Sequence, residues 1–282
     1  MEHKDNPLLL AECKDHLVSH EQFSVVLDKA SQIASTRPQP AAHLLPAYYQ
    51  SDEYISHGTK QRSVFSLLYA LIQKRMFGIK RQWLSNGTQQ APRYLDYGCG
   101  TGALVRYLTA KGWDAHGVEP NAKARKVFNN PKVVSSLGEL TPAPFDVIGL
   151  WHVLEHVPNP TETLAELIDI LTPQGKLFLA LPNFNSYDAA FYSNEWAGYD
   201  VPRHLWHFSS HGIAQLCESL GLKHTKTNGM FFDAFYVSYL SEKHRRKCFP
   251  FVRGFFIGLW SNIRAKKTGE YSAMLYCFEK TN

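Results

Sequence analysis

Tyr94-Leu95-Asp96-Tyr97-Gly98-Cys99-Gly100-Thr101-Gly102 reads as an apolar strand end that runs into a glycine-rich turn and opens a helix. Gly98, Gly100 and Gly102 can take positive φ and carry no Cβ, so the backbone there can press against a bound molecule and offer its N–H groups. Glycine turns also join strands to helices without binding anything, so the surroundings decide. Ala103 to Lys111 follows as a helix with Leu104 and Leu108 on one face and Gly112 as its stop. A second strand, Ala115 to Glu119, then ends in an acid 17 residues beyond Gly102. In a βαβ unit an acid at that tip faces the same crevice as the turn and can accept both hydroxyls of a ribose. The dinucleotide pattern G-x-G-x-x-G does not fit, because residue 103 is Ala and no further glycine admits a pyrophosphate. The spacing therefore points to a smaller nucleoside.

Two more motifs follow in order: Gly117-Val118-Glu119-Pro120, and Phe145-Asp146-Val147-Ile148 running into Trp151-His152-Val153-Leu154-Glu155-His156-Val157-Pro158-Asn159-Pro160. Together with the turn they resemble the class I S-adenosylmethionine-dependent methyltransferases, over residues 90 to 230 and a final strand near the C-terminus. The resemblance implies an α/β fold, a Rossmann-like doubly wound, mostly parallel seven-stranded sheet, with S-adenosylmethionine as cofactor. It implies that Asp96, Gly98 and Gly100 line the methionine part, with Cys99, Gly102 and Trp151 beside it. Glu119 would hold the ribose, and Ser136 and Leu137 would border the adenine. Many relatives place an acid near 136, where this chain has Ser.

With 282 residues and 44% apolar content, the chain can bury the core of one large domain with attachments. Its five cysteines, Cys13, Cys99, Cys217, Cys248 and Cys277, are scattered and form no C-x-x-C pair. Neither a disulfide framework nor a zinc knuckle is indicated, which fits a reducing cytoplasm. Met1 precedes Glu, His, Lys and Asp with no long apolar run, and nowhere do 18 apolar residues follow one another. No secretory signal or membrane span is expected. A net charge of +5 is mild, and without a basic and aromatic nucleic-acid motif it argues for a small-molecule acceptor over nucleic acid.

Residues 1–45 read as an extension in which Phe23, Val25 and Leu27 alternate like a short strand, before the turn-rich Thr36-Arg37-Pro38-Gln39-Pro40. Relatives often carry a zinc ribbon here; Leu27-Asp28-Lys29-Ala30-Ser31 has no cysteine, which suits a degenerate ribbon that has lost its metal. Residues 46–90 form a helical cap: Val64, Leu67, Leu68, Leu71 and Phe77 fall at helical spacing, so the helix either caps the cofactor pocket or covers the sheet. Tyr48, Tyr49 and Tyr54 before it either line a substrate entrance or pack.

Residues 91–282 form the methyltransferase core. Asn159-Pro160-Thr161-Glu162 is a helix start, with Leu164, Leu167, Ile168 and Leu171 as the buried face. Lys176 to Leu181 is a strand, Ser209 to Leu220 a helix closed by Gly221, and Tyr271 to Glu279 alternates as an edge strand would. Two stretches, 183–208 and 230–268, exceed what plain loops need and are assigned to substrate recognition.

Ligands bind outside the carboxyl ends of strands in such sheets, so Trp151, His152, Glu155 and His156 on one side, and Pro182, Asn183 and Asn185 on the other, should face the methyl group. Methyl transfer to a hydroxyl requires alignment and removal of a proton. His152, directly after its strand, is the first candidate base, and His156 the next; a lone histidine can equally serve only to bond a carbonyl. The run His152-x-x-Glu155-His156 is similar to the Glu-x-x-Glu-His of quinone-biosynthetic O-methyltransferases, whose carboxylates and His can hold a divalent cation. His152 in place of Glu removes a hard oxygen ligand, so no metal is expected.

A second candidate site is Asp200-Val201-Pro202-Arg203-His204-Leu205-Trp206-His207-Phe208, a pattern similar to bacterial methyltransferases of surface-polysaccharide and secondary-metabolite synthesis. Arg203 can grip a carboxylate or phosphate and His204 can act as base, with Asn183, Tyr54 and Trp206 completing the acceptor pocket. The alternative is that Trp196, Trp206 and Phe208 anchor the loop while Arg203 pairs with Asp200. Residues 243–267 are both greasy and basic, which suits peripheral membrane contact, a lid or a dimer contact. The expected function is a cytoplasmic, metal-independent methyltransferase acting on an oxygen of a small, sugar-containing or lipid-linked molecule. The alternatives are a quinone-type O-methyltransferase and a non-catalytic binder of the same cofactor acting as sensor or partner subunit.

Overall fold

A computed structural model describes residues 7–49, 75–85, 91–140 and 143–281. The chain runs β1 (Leu8–Lys14), β2 (Gln22–Asp28), β3 (Ile33–Arg37), α1 (residues 75–84), β4 (Arg93–Tyr97), α2 (Ala103–Thr109), β5 (Asp114–Val118), α3 (Ala122–Arg125) and β6 (Val133–Val134). It continues through β7 (Phe145–Trp151), α4 (Pro160–Asp169), β8 (Leu171–Pro182), α5 (Tyr187–Tyr192), β9 (Trp206–Phe208), α6 (Ser210–Ser219) and β10 (Leu222–Gly229). Helices α7 (Asp233–His244) and α8 (Pro250–Thr268) precede the last strand, β11 (Ala273–Lys280).

Alternation along the strands builds the core. Tyr94 and Leu95 are neighbours in β4 yet join different apolar clusters, because successive side chains leave a strand on opposite faces. Leu95, Ile148, Leu150, Leu177 and Leu179 pack with Leu164, Leu167 and Ile213 of α4 and α6. Tyr94, Val147, Phe178 and Leu275 pack on the other face with Leu104, Val105 and Leu108 of α2. Each leucine buried this way stabilises the fold by roughly 1.5–3 kcal/mol. Burial on both faces produces a Rossmann-like, doubly wound sheet in the order β10-β11-β8-β7-β4-β5-β6, with β4 to β8 parallel. Asn159 caps α4 by accepting from Glu162 N at 3.3 Å, with Pro160 in the first turn, as its sequence predicts.

The last strand is not the edge expected from its alternation. β11 lies between β8 and β10, antiparallel to both, and residues 273–278 are all buried. The edge is β10, a strand not foreseen, whose lysines and threonines suit a position with solvent on one side.

The extension forms a second, antiparallel sheet, β1-β2-β3-β9. Phe23, Val25 and Leu27 point inward from β2, against Tyr192, Trp196, Tyr199 and Val201 of the first insertion. The insertion supplies β9 itself, so extension and insertion share one sheet and one core. Of the cap, α1 lies within the described residues: Leu84 is buried, and Phe77 and Trp83 lean on the same cluster as α2. Val64, Leu67, Leu68, Leu71 and Tyr54 lie outside the described residues.

The second insertion holds α7 and α8 packed together. A Cβ on Gly254 would lie 2.7 Å from Tyr239 N, and one on Gly258 2.8 Å from Ala234 O, so the glycines allow the two backbones to touch. The buried face of α8 is small: Gly254, Gly258, Ser261, Asn262 and Ala265. Its large apolar side chains point out.

Candidate active site

The turn after β4 is held by its neighbour. Gly98 and Cys99 N–H groups donate to Val118 O (2.8 and 3.0 Å), which brings Glu119 beside the turn. Gly98, Gly100 and Gly102 have φ of 73°, 56° and 74°. A Cβ at Gly98 would meet Val153 Cγ2 at 2.5 Å, whereas at Gly100 nothing lies within 4 Å. Glu119 accepts from Gly100 N (2.9 Å) and Asn121 N (2.8 Å), which leaves lone pairs on both oxygens for a ribose. Cys99 turns its sulfur inward, toward Gly117, where a Cβ would lie 2.6 Å from it. Near Ser136 an acid is present three residues on: Glu139 accepts from Ser136 Oγ (3.3 Å) and from Ser135 Oγ. Leu137 begins the short turn that carries it.

Asp96 is 4% exposed, and burial raises its pKa to about 7. Tyr94 Oη donates to Asp96 Oδ1 (3.1 Å) and accepts from Trp151 Nε1 (3.0 Å). Lys80 of α1 lies 3.9 Å from the centre of the Trp151 ring, a cation–π contact. Burial lowers the Lys80 pKa, and the charges of Asp96 and Asp233 oppose it. An ammonium thus lies over Trp151, and a carboxylate is linked to the same ring through Tyr94, a pair whose charges complement the carboxylate and amino groups of a methionine moiety. Sequence reasoning found Asp96 and Trp151 but missed Lys80, whose approach depends on how α1 packs.

His152 directly follows β7 with φ of 57°, its N–H donating to Ala180 O (3.0 Å). Its Nε2 lies 3.3 Å from Asp233 Oδ2 and its Nδ1 3.5 Å from Glu155 Oε1. Burial disfavours the charge, but the two carboxylates outweigh it and raise the pKa to about 10. With 38% of the side chain exposed, water screens part of this pairing, and the proton still sits between two acids. The two flanking carboxylates favour the protonated imidazolium of His152, whereas the sequence predicts a neutral base. Asp233 is the residue responsible, and sequence reasoning missed it.

The other two histidines each face a backbone carbonyl through Nδ1. His204 Nδ1 donates to Gly198 O (2.9 Å), which leaves Nε2 unprotonated, and burial lowers its pKa to about 4. His156 Nδ1 lies 3.0 Å from Arg203 O and from Tyr49 Oη; the carbonyl can only accept, so Nδ1 bears the hydrogen. Glu155, His156 and His204 bring donor atoms within 4.8 Å of one another. The Glu155 carboxylate is buried, and its partner among the described residues is the His152 ring, 3.5 Å from Oε1. Neighbouring histidines hold its pKa down against burial.

Arg203, expected to grip an anion, is 1% exposed and already engaged. Its Nη1 donates to Asp15 Oδ1 (3.0 Å), its Nη2 to Asp200 Oδ1 (2.6 Å) and its Nε to the same carboxylate. It ties the extension to the insertion. Asn183 is likewise buried, donating to Glu270 Oε2 (2.7 Å) and Tyr271 O (3.0 Å). Trp206 Nε1 donates to Val157 O (3.1 Å). Among the expected site residues, His152, His156 and His204 meet in one cavity of about 800 Å³, together with Pro182, Asp200, Asp233 and Ser272. That volume suits a drug-sized molecule. Tyr48 bonds Glu21 and packs against Phe23.

Comparison with known proteins bears on what this cavity serves. A family model described as a methyltransferase domain matches residues 67–227, more than half of the chain. The ubiquinone biosynthesis O-methyltransferase of Paracidovorax citrulli is 28% identical over 163 residues, 51% of this chain and 68% of that one. That of Dechloromonas aromatica is 28% identical over 120 residues, 38% and 52% of the two chains. The match thus spans about half to two thirds of these relatives. Among solved structures, magnesium protoporphyrin IX methyltransferase from Synechocystis PCC 6803 with bound SAH superposes with a TM-score of 0.55 at 12% identity, over 86% of this chain and all of that one. At that identity the likeness concerns the fold.

Proposed function

The chain belongs to the methyltransferase-domain family, and from that premise we propose that it methylates an oxygen of a small molecule at the histidine end of the cavity. It is an S-adenosylmethionine-dependent methyltransferase. The cofactor supplies an electrophilic methyl group whose departure needs no proton. The protein's own residues then have two tasks: to hold that cofactor and to manage the acceptor's proton.

Glu119 takes the ribose, Asp96 the methionine ammonium and Lys80 its carboxylate. Gly98, Gly100 and Gly102 keep the turn free of side chains where the nucleoside lies. Glu139 stands where it can meet the adenine amino group. At the acceptor, His152 as an imidazolium stabilises developing negative charge on a hydroxyl oxygen. His204, neutral and with its tautomer fixed by Gly198, accepts the proton at Nε2, and His156 is the neighbouring acceptor. The observation that carries this reading is the convergence of these three histidines in the cavity that Pro182, Ser272 and Ala273 also line, at the ends of β8 and β11.

The test uses labelled S-adenosylmethionine and a small-molecule extract of cells lacking the protein. We expect label to enter an acceptor with the wild type, and transfer to fall at least ~100-fold in His204→Gln while cofactor affinity stays within about twofold. Unchanged transfer in the variant would remove His204 as base.

One observation favours a second reading: the donor atoms of Glu155, His156 and His204 lie within 4.8 Å of one another, and two imidazoles with one carboxylate suit a transition metal rather than Mg²⁺. A cation there would polarise the acceptor hydroxyl. Full activity after exhaustive chelation upholds the metal-free reading.

We place the protein in the cytoplasm, in contact with a membrane surface. All five cysteines are free. Among the described residues no helix is long and apolar enough to cross a membrane. α8 nevertheless exposes Phe251 (66%), Phe256 (62%) and Trp260 (48%), with Phe249 (78%) just before it. Arg246, Lys247, Arg253, Arg264, Lys266 and Lys267 lie before and along α8 in the sequence and are exposed, which suits attraction to anionic headgroups.

A further inference from the structure

Besides Glu155, His156 and His204, three further donors converge: His16 in the turn after β1, Glu195 in the first insertion and His244, the last residue of α7. One ligand atom from each lies within 4.8 Å of the others, and all three residues are partly buried. They come from parts of the chain far apart in sequence, and they meet because the extension and both insertions pack together.

The chemistry of the three is that of lone pairs. His16 Nε2 lies 3.1 Å from Glu195 Oε2, yet neither atom makes an aligned hydrogen bond among the described residues, and both are shielded from water. His244 Nδ1 lies 3.3 Å from Glu195 O; the carbonyl can only accept, so Nδ1 bears the hydrogen and Nε2 keeps its lone pair. A metal-binding imidazole is commonly oriented in this way, by its other ring N–H on a backbone carbonyl. Burial lowers the pKa of both histidines, that of His244 to about 4, so a neutral His16 gives the Glu195 carboxylate no charge to pair with. The two rings stack with centroids 3.9 Å apart and planes 7° from parallel. Coordination asks one ring to turn about its Cβ–Cγ bond, a torsion with broad minima in histidine.

The surroundings select the ion. Lys14 and Lys243 lie near enough for their charges to depress the two histidines, while Asp15 and Asp200, which act the other way, are bound by Arg203. A hard cation held by charge and oxygen, such as Mg²⁺, is therefore disfavoured. Two imidazoles and one carboxylate suit Zn²⁺, with water in the fourth position. Cys13 takes no part, because it lies in the extension's own core, where burial pushes its thiol up to about 12. We propose that His16, Glu195 and His244 form a Zn²⁺ site that ties the extension to both insertions. His16 and His244 also line the cavity, so the ion fixes the shape of that wall.

The test is titration of Zn²⁺ into the metal-stripped full chain in competition with a chromophoric chelator, with the melting temperature as a second readout. The wild type is compared with Glu195→Gln, His16→Gln/His244→Gln and His156→Gln/His204→Gln. Glu195→Gln keeps the size of the side chain and the carbonyl that orients His244, and an unchanged melting temperature without Zn²⁺ reports that it is folded. We expect Zn²⁺ affinity to fall at least ~tenfold in the first two variants and to stay within about threefold of the wild type in the third. Zn²⁺ should raise the melting temperature of the wild type and of the third variant but not of the first two, and Mg²⁺ should raise none. A wild type that binds no Zn²⁺, or a Glu195→Gln protein that binds it as tightly as the wild type, overturns the proposal. Loss confined to His156→Gln/His204→Gln overturns it as well, by placing the ion on the other donor group.

Discussion

At neutral pH Asp96 sits at the edge of ionisation, because burial raises its pKa to about 7. An acid raised on folding contributes stability that is fully present below its unfolded value of about 3.9 and is lost as pH rises through the folded value. A cationic methionine end offsets that loss only when Asp96 is ionised. The gain in melting temperature given by S-adenosylmethionine should therefore be larger at pH 8 than at pH 6; an equal gain at both would separate Asp96 from the cofactor. Asp96 and Glu119 are legible in the sequence because their spacing from three glycines suffices to place them. The charge of His152 is not, since Asp233, which holds its proton, lies 81 positions away. Arg203 shows the same limit in reverse: its neighbours in sequence suggest a pocket, and Asp15, 188 positions earlier, buries it.

At the scale of elements, α8 is polarised against habit, small residues inward and aromatics outward. Read along the chain, Gly254 and Gly258 weaken a helix; packed, they are its contact with α7. Gly258→Leu should destabilise the protein by about 1–3 kcal/mol through overpacking, measured by urea unfolding. Stabilisation instead, as helix propensity alone predicts, would show that the helices do not pack as described. The strands explain a different gain and loss. β4, β5 and β7 are legible because apolar runs end in motif residues. β11 reads as an edge if alternation is weighed, although the unbroken run Ala273-Met274-Leu275-Tyr276-Cys277-Phe278 is the pattern of a strand buried on both faces. β10 hides because its side chains are mostly those of a surface.

For the whole molecule, the extension matters more than its composition suggests. Arg203 and Asp15 form an ion pair whose members are 1% and 0% exposed, and removing one partner of such a pair costs about 3–5 kcal/mol. The extension and first insertion thus form one wall of the cavity, from which Lys14 and His204 both project. α7 also lines the cavity and α8 packs on α7, so docking α8 on a bilayer would place the cavity one helix layer from its surface. Co-sedimentation with vesicles should rise with anionic lipid content and fall sharply in Phe256→Ser/Trp260→Ser; no dependence on lipid charge, or a discrete dimer lost in that variant, would assign the face elsewhere. The central claim, that Glu119 and the turn at Gly98 to Gly102 bind S-adenosylmethionine, is tested most directly by calorimetric titration of that cofactor and its demethylated product into the wild type and Glu119→Ala. Losing two hydrogen bonds to a charged group removes about 3 kcal/mol or more, so we expect the variant's affinity to fall at least ~100-fold. Equal affinity in both proteins, or none in a folded wild type, would contradict the account.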